Sequence, residues 1–115
     1  MQFITFYRTD AMHETRHFYE DVLALNVYKD QGACVIYKVT EHSGIGFCTH
    51  HPKEPSSGAC LTFVFDTTHE VDAWRQRIME RGLEPSEAVA NETFKIYHFF
   101  VRDPNNYLVE FQVFL

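Results

Sequence analysis

The sequence has no apolar run approaching the roughly 18 residues of a membrane-spanning helix, so no membrane partner is expected. Basic residues are few: 10 Lys and Arg stand against 16 Asp and Glu, a net charge of −6. That balance disfavours nucleic acid and anionic lipid and suits a cationic ligand. There is no Gly-x-Ser-x-Gly elbow for a nucleophilic serine and no glycine-rich phosphate loop. The N-terminus shows no basic region followed by an apolar stretch, so no signal peptide is expected. Cysteine is scarce, and Cys34, Cys48 and Cys60 form neither a metal-type spacing nor an even disulfide set. A reducing cytoplasm is the expected compartment. What is abundant is aromatic: 11 Phe and 6 Tyr within 115 residues, which suits a β-rich domain.

The last seventeen residues read as a hairpin. Asp103-Pro104-Asn105-Asn106 carries turn chemistry, because the Asp carboxylate accepts a backbone N–H two residues on and Pro presets φ. Asn tolerates the left-handed conformation that closes such a reversal. Along the strand after the turn, Leu108, Glu110, Gln112 and Phe114 share one face, and Tyr107, Val109, Phe111, Val113 and Leu115 share the other. Glu110 therefore sits mid-strand among large hydrophobes. A carboxylate there must be paired, hydrogen-bonded or open to a cavity.

The remainder divides into two similar halves, each strand, helix, then three strands. In the first half these are Phe3–Tyr7, a helix over Ala11–Leu23, and strands at Asn26–Lys29, Ala33–Thr40 and Gly44–Thr49. Met12, Thr15, Phe18, Tyr19, Val22 and Leu23 fall on one helical face. Residues 51–58 have linker composition. The second half has a strand at Ala59–Phe65 and a helix over Thr67–Arg81, with Val71, Trp74, Ile78 and Met79 inward. Gly82 caps that helix. Strands follow at Glu84–Val89, Phe94–Arg102 and Tyr107–Phe114. Phe3-Ile4-Thr5-Phe6 lines up with Cys60-Leu61-Thr62-Phe63, and the halves are expected to fold together as one domain over 1–115, with modules at about 1–50 and 59–115.

Phe100, Asp103, Pro104 and Glu110, together with Phe18-Tyr19-Glu20-Asp21-Val22-Leu23-Ala24-Leu25, resemble motifs of the vicinal oxygen chelate superfamily. This is the group of glyoxalase I, bleomycin-resistance proteins and extradiol dioxygenases. Asn106, Tyr107 and Ala24 depart from the usual Gly, Asn and Gly. The resemblance implies an α+β fold of two βαβββ modules with curved mixed sheets around a cavity, paired as a homodimer. It also implies metal-ligand positions at Phe3, Gly46, Cys60 and Glu110, where catalytic members carry His, Gln or Glu. Phe3 and Gly46 offer no side-chain donor, and Glu110 with Cys60 falls short of the three protein ligands a centre normally needs. A two-residue slip along the fourth strand would bring in Cys48. No cofactor is expected; a Zn, Ni, Mn or Fe centre is the alternative.

His13-Glu14-Thr15-Arg16-His17 fits the zinc motif His-Glu-x-x-His, yet the apolar face of its helix leaves both imidazoles toward solvent with no third ligand. The match is expected to be fortuitous. His50 and His51 read as loop residues. Alternation does not fix which way His98 faces, because both faces of its strand are apolar. Trp74 reads as core.

The implied cavity wall comprises Phe3, Thr5, Tyr7, Gly46, Cys48, Cys60, Thr62, Leu108, Glu110 and Gln112, with Val64 and Phe114 beside them. Gly46 would leave room for a ligand, or Phe3 and its neighbours would plug the space. The leading expectation is a small-molecule binding protein without a metal, taking an aromatic or cationic ligand. The alternatives are a metal-dependent lyase, dioxygenase or thiol transferase, and a structural dimerisation module.

Overall fold

The computed structural model describes residues 1–50 and 59–115, and the chain divides into two compact units, Met1–Pro55 and Ser56–Leu115. The expected linker and His51 lie outside the described residues, apart from the unit boundary falling there.

The first unit runs β1 (Phe3–Arg8), α1 (Met12–Arg16) with a π-helical continuation (His17–Val22), β2 (Asn26–Asp30), β3 (Cys34–Thr40) and β4 (Ser43–Cys48). Its sheet has the order β1-β4-β3-β2, with β1 parallel to β4 and the other pairs antiparallel. The helical stretch predicted from periodicity is present, but its second half is widened: the Leu23 N–H donates to the Phe18 carbonyl, five residues back. The wider turn still buries Phe18, Tyr19, Val22 and Leu23. Phe47 is the hub of the core, its ring 4.5 Å from Tyr19, 6.1 Å from Tyr7 and 6.3 Å from Tyr37.

A polar clasp fastens the helix to the sheet. Arg16 donates through Nε and Nη2 to the two Glu20 oxygens at 2.7 and 3.3 Å, and through Nη1 to Asp30 at 2.8 Å. The Tyr37 hydroxyl donates to Glu20 at 2.8 Å. Burial, then the Glu20 carboxylate, push the Tyr37 hydroxyl well above its ordinary range.

The second unit repeats the plan as β5 (Cys60–Val64), α2 (Thr68–Glu80), β6 (Val89–Asn91), β7 (Ile96–Arg102) and β8 (Leu108–Phe114), with sheet order β5-β8-β7-β6. Thr67 caps α2, its hydroxyl accepting the Glu70 N–H at 3.1 Å. Gly82 ends the helix as expected: at φ +83° it lets the N–H groups of Gly82 and Leu83 reach the Met79 and Ile78 carbonyls. Phe111 is the hub, 4.9 Å from Phe99, 5.5 Å from Phe63, and 6.0 Å from both Phe65 and Trp74. Trp74 packs on the inner side of α2 against Phe65 and Phe111, as its spacing implied, but is only half-buried. Met79, expected inward as well, is 44% exposed on the outer side of α2.

The predicted strand at Glu84–Val89 shortens to a β6 that starts at Val89. Pro85 has no N–H to give a ladder; beside it the Ser86 N–H donates to the Phe100 carbonyl at 2.8 Å and the Ser86 hydroxyl accepts the Phe100 N–H at 2.8 Å. The Asp103 turn forms as expected: Oδ1 accepts the N–H of Asn105 at 2.9 Å and of Tyr107 at 2.8 Å, while Asn106 takes φ +66°.

Candidate functional site

Strand register decides which side chains share a face. On β5 and β8, Cys60 pairs with Leu108, Thr62 with Glu110 and Val64 with Gln112. All lie on the side away from α2, because the alternate residues Phe63 and Phe111 stack in the core. The expected grouping of Cys60, Thr62, Leu108, Glu110, Gln112 and Phe114 therefore holds within this unit. Across the hairpin, Phe100 pairs with Glu110 and His98 with Gln112, which puts His98 on the same face.

Each oxygen of the Glu110 carboxylate has a partner there. Thr62 Oγ1 donates to Oε1 at 2.8 Å, and His98 Nδ1 stands 2.6 Å from Oε2. An ionised carboxylate only accepts, so Nδ1 carries the proton and Nε2 is the imidazole nitrogen left to meet a ligand. Only 11% of the His98 side chain and 12% of the Glu110 side chain are accessible, while Thr62 and Cys60 on the edge strand β5 are exposed. The Cys60 thiol lies 3.7 Å from the Thr62 hydroxyl, and the Phe100 ring meets the His98 imidazole edge-on at 4.9 Å. The cluster is thus walled by β7 and open toward β5.

His98 is the member that alternation did not place. Its position was recoverable from the turn: with Arg102 and Leu108 as the first pair outside it, counting back four residues sets His98 against Gln112.

The first unit does not match its expected wall. Phe6 pairs with Gly46 and Arg8 with Cys48, so Ile4, Phe6 and Arg8 share the face of Gly46 and Cys48. Phe3, Thr5 and Tyr7 alternate onto the other face, where the Tyr7 ring packs tilted against Phe47. The alignment of Phe3–Phe6 with Cys60–Phe63 was off by one residue, which turns every side chain over. The room that Gly46 leaves is also filled: a Cβ there would overlap the Phe6 ring.

Two further expectations change. Cys34 and Cys48, directly opposed on β3 and β4, form a disulfide, and Cys60 is free and exposed. The cysteine count therefore no longer argues for a reducing compartment. Among the described residues, no helix is long and apolar enough to cross a membrane.

His13 and His17 lie on the exposed side of their helix, as expected, with His17 Nδ1 2.9 Å from Asp21. Among the described residues, the three-donor group whose ligand atoms all lie within 4.8 Å of one another is Cys34, Cys48 and His50. Glu110 is not in such a group. The family-type centre implied at Phe3, Gly46, Cys60 and Glu110 does not fit these residues: Phe3 and Gly46 have no side-chain donor, Phe3 lies on the opposite sheet face, and Gly46 is covered by the Phe6 ring.

Two four-stranded mixed sheets, each with a helix on one face and each built βαβββ, define an α+β protein of paired-module type. The chain belongs to the glyoxalase/bleomycin resistance protein/dioxygenase superfamily, whose family model matches residues 3–111. No curated protein sequence matches it. Among solved structures it is similar to an integron cassette protein from the mobile metagenome of the Halifax Harbour sewage outfall, with TM-score 0.81, 16% identity, and 98% of this chain and 97% of that one covered. Lactoylglutathione lyase from Agrobacterium tumefaciens gives TM-score 0.79 and 21% identity, covering 98% and 92%. A glyoxalase/dioxygenase from Nostoc punctiforme gives TM-score 0.79 and 14% identity, covering 97% and 89%. At these identities the likeness is one of fold.

Proposed function

We propose that this protein binds a small molecule on the exposed-strand side of its second module, without the metal of the catalytic members. The observation that carries this is the Glu110 carboxylate held between Thr62 and His98 on the sheet face away from α2. With a neutral imidazole the cluster keeps one negative charge, and it presents Nε2 as an acceptor. Phe100 supplies an aromatic wall, and the net charge of −6 attracts cations at long range. An aromatic or amphipathic cation that donates an N–H to His98 suits this chemistry best. Thermal-shift and calorimetric screening of cationic, neutral and anionic aromatics against wild type and Glu110→Gln tests the reading. Preference for cations that is lost in the variant supports it. Equal affinity for the three classes contradicts it.

A second reading uses the same pair as an acid–base device, the carboxylate fixing the imidazole tautomer so that Nε2 accepts a substrate proton. Turnover that disappears in His98→Ala while ligand binding persists would favour it over binding alone.

We also propose a homodimer. Phe3 and Phe94 are each 71% exposed, Phe114 66% and Leu115 65%, a large apolar surface for a chain of this size. Light scattering at micromolar concentration is expected to give twice the 13.5 kDa chain mass; a stable particle of the chain mass itself would refute the dimer.

A further inference from the structure

Cys34 and Cys48 oppose each other on antiparallel strands, on the sheet face away from the aromatic core, and His50 follows two residues after Cys48. His50 Nδ1 is 3.7 Å from the Cys34 sulfur, and the three potential donor atoms all lie within 4.8 Å of one another. The cysteines are buried and His50 is exposed, so one edge of the group is open to solvent.

These separations suit a tetrahedral metal. With metal–sulfur bonds of about 2.3 Å and a metal–nitrogen bond of about 2.0 Å, the sulfur–nitrogen edge of the tetrahedron is about 3.5 Å and the sulfur–sulfur edge about 3.8 Å. His50 already stands close to the first value. While the sulfurs are bonded to each other their lone pairs cannot converge on an ion. Once the bond breaks, they retreat to van der Waals contact, which is close to the second value. The Cα atoms of this pair are 4.1 Å apart, so rotation about the two Cα–Cβ bonds brings the sulfurs to this spacing without moving the strands.

We propose that reduction of the Cys34–Cys48 disulfide converts this corner of the first module into a two-sulfur, one-nitrogen site for zinc(II) or a similarly thiophilic cation. The disulfide-bonded and metal-bound forms exclude one another. The reductant is a dithiol. One of its thiolates attacks the Cys34 sulfur, the less deeply buried of the pair, and Cys48 leaves as thiolate. The second thiol of the reductant then displaces Cys34 and closes a cyclic disulfide. One protein S–S bond breaks, two electrons and two protons reach the protein, and the dithiol is oxidised. Zinc displaces the two thiol protons, neutral His50 donates its lone pair, and water completes the fourth position.

The test uses the untagged full chain carrying Cys60→Ser, which removes the free exposed thiol. The protein is reduced with a dithiol, freed of it without oxygen, and titrated with zinc(II) in competition with a chromophoric chelator. One zinc per reduced chain is expected, none for the disulfide form, and release when a disulfide oxidant is added. Cys34→Ser should abolish binding. His50→Ala changes only an exposed residue and decides the matter if the cysteine variant fails to fold. It should weaken binding at least about tenfold, the lower range for losing even an outer partner of a metal ligand. No zinc in the reduced form, equal binding by both forms, unchanged affinity in His50→Ala, or binding that follows His17→Ala instead would each overturn the proposal.

Discussion

The two modules are built alike on the helix side of the sheet and differently on the other. Aligning the hubs Phe47 and Phe111 sets Gly46 against Glu110, Phe6 against Thr62, Ile36 against Phe100, and the opposed pair Cys34–Cys48 against His98–Gln112. In the first module these positions hold a disulfide and a phenyl ring lying over a glycine. In the second they hold an imidazole, a carboxylate and a hydroxyl bonded in a row. One half of an internal repeat thus closes its outer sheet face with covalent and apolar contacts, while the other holds a polar cluster of the sort a ligand can use. The shared hub keeps the fold the same, leaving the opposite face free to differ, because alternate residues on a strand report to opposite environments.

The largest effects should come from what the modules share. Phe47→Ala and Phe111→Ala each remove a fully packed ring, and each should cost about 3–5 kcal/mol in urea unfolding. Similar losses sharpen the equivalence of the hubs. A loss several-fold smaller at one of them would break it.

Next in size is the covalent difference. The Cys34–Cys48 bond spans a sequence separation of 14, and closing a loop of that length removes about 3 kcal/mol of unfolded-state freedom in the chain-entropy account. Dithiol treatment should lower the unfolding midpoint correspondingly in wild type. It should leave a Cys34→Ala/Cys48→Ala variant unmoved. A wild-type midpoint that does not respond would contradict the bond's role.

The Gly46 contact should be worth less. Gly46→Ala is expected to cost about 1–3 kcal/mol by overpacking, measured by the same urea unfolding. Phe6→Ala should restore most of that loss in the double variant, since the overlap is with the Phe6 ring alone among close neighbours. Additive losses would show that the ring does not occupy this space.

Legibility in the sequence followed the range of the forces involved. The Asp103–Asn106 turn, the Gly82 cap and the helical faces apart from Met79 were readable because each is decided within a few residues. The facing of Glu110 was readable because its strand alternates cleanly. Tyr7 and Thr5 were misplaced because β1 is apolar on both faces, and only pairing with β4 distinguishes them. The Cys34–Cys48 bond was missed for a similar reason. An odd cysteine count gives no pairing, whereas antiparallel register puts these two opposite each other. The facing of His98 stayed open although the turn fixes its partner, since alternation alone does not carry register back from Arg102 and Leu108.

The central claim is that the second module, not the first, carries the ligand-binding face. Backbone amide shifts, followed by NMR as the tightest-binding cationic aromatic is added, test it most directly. Saturable shifts are expected at Thr62, His98, Phe100 and Glu110, with Ile4, Phe6 and Gly46 unmoved, and these shifts should be lost in Glu110→Gln. Shifts centred on Phe6 and Gly46, or an unchanged pattern in the variant, would contradict the claim.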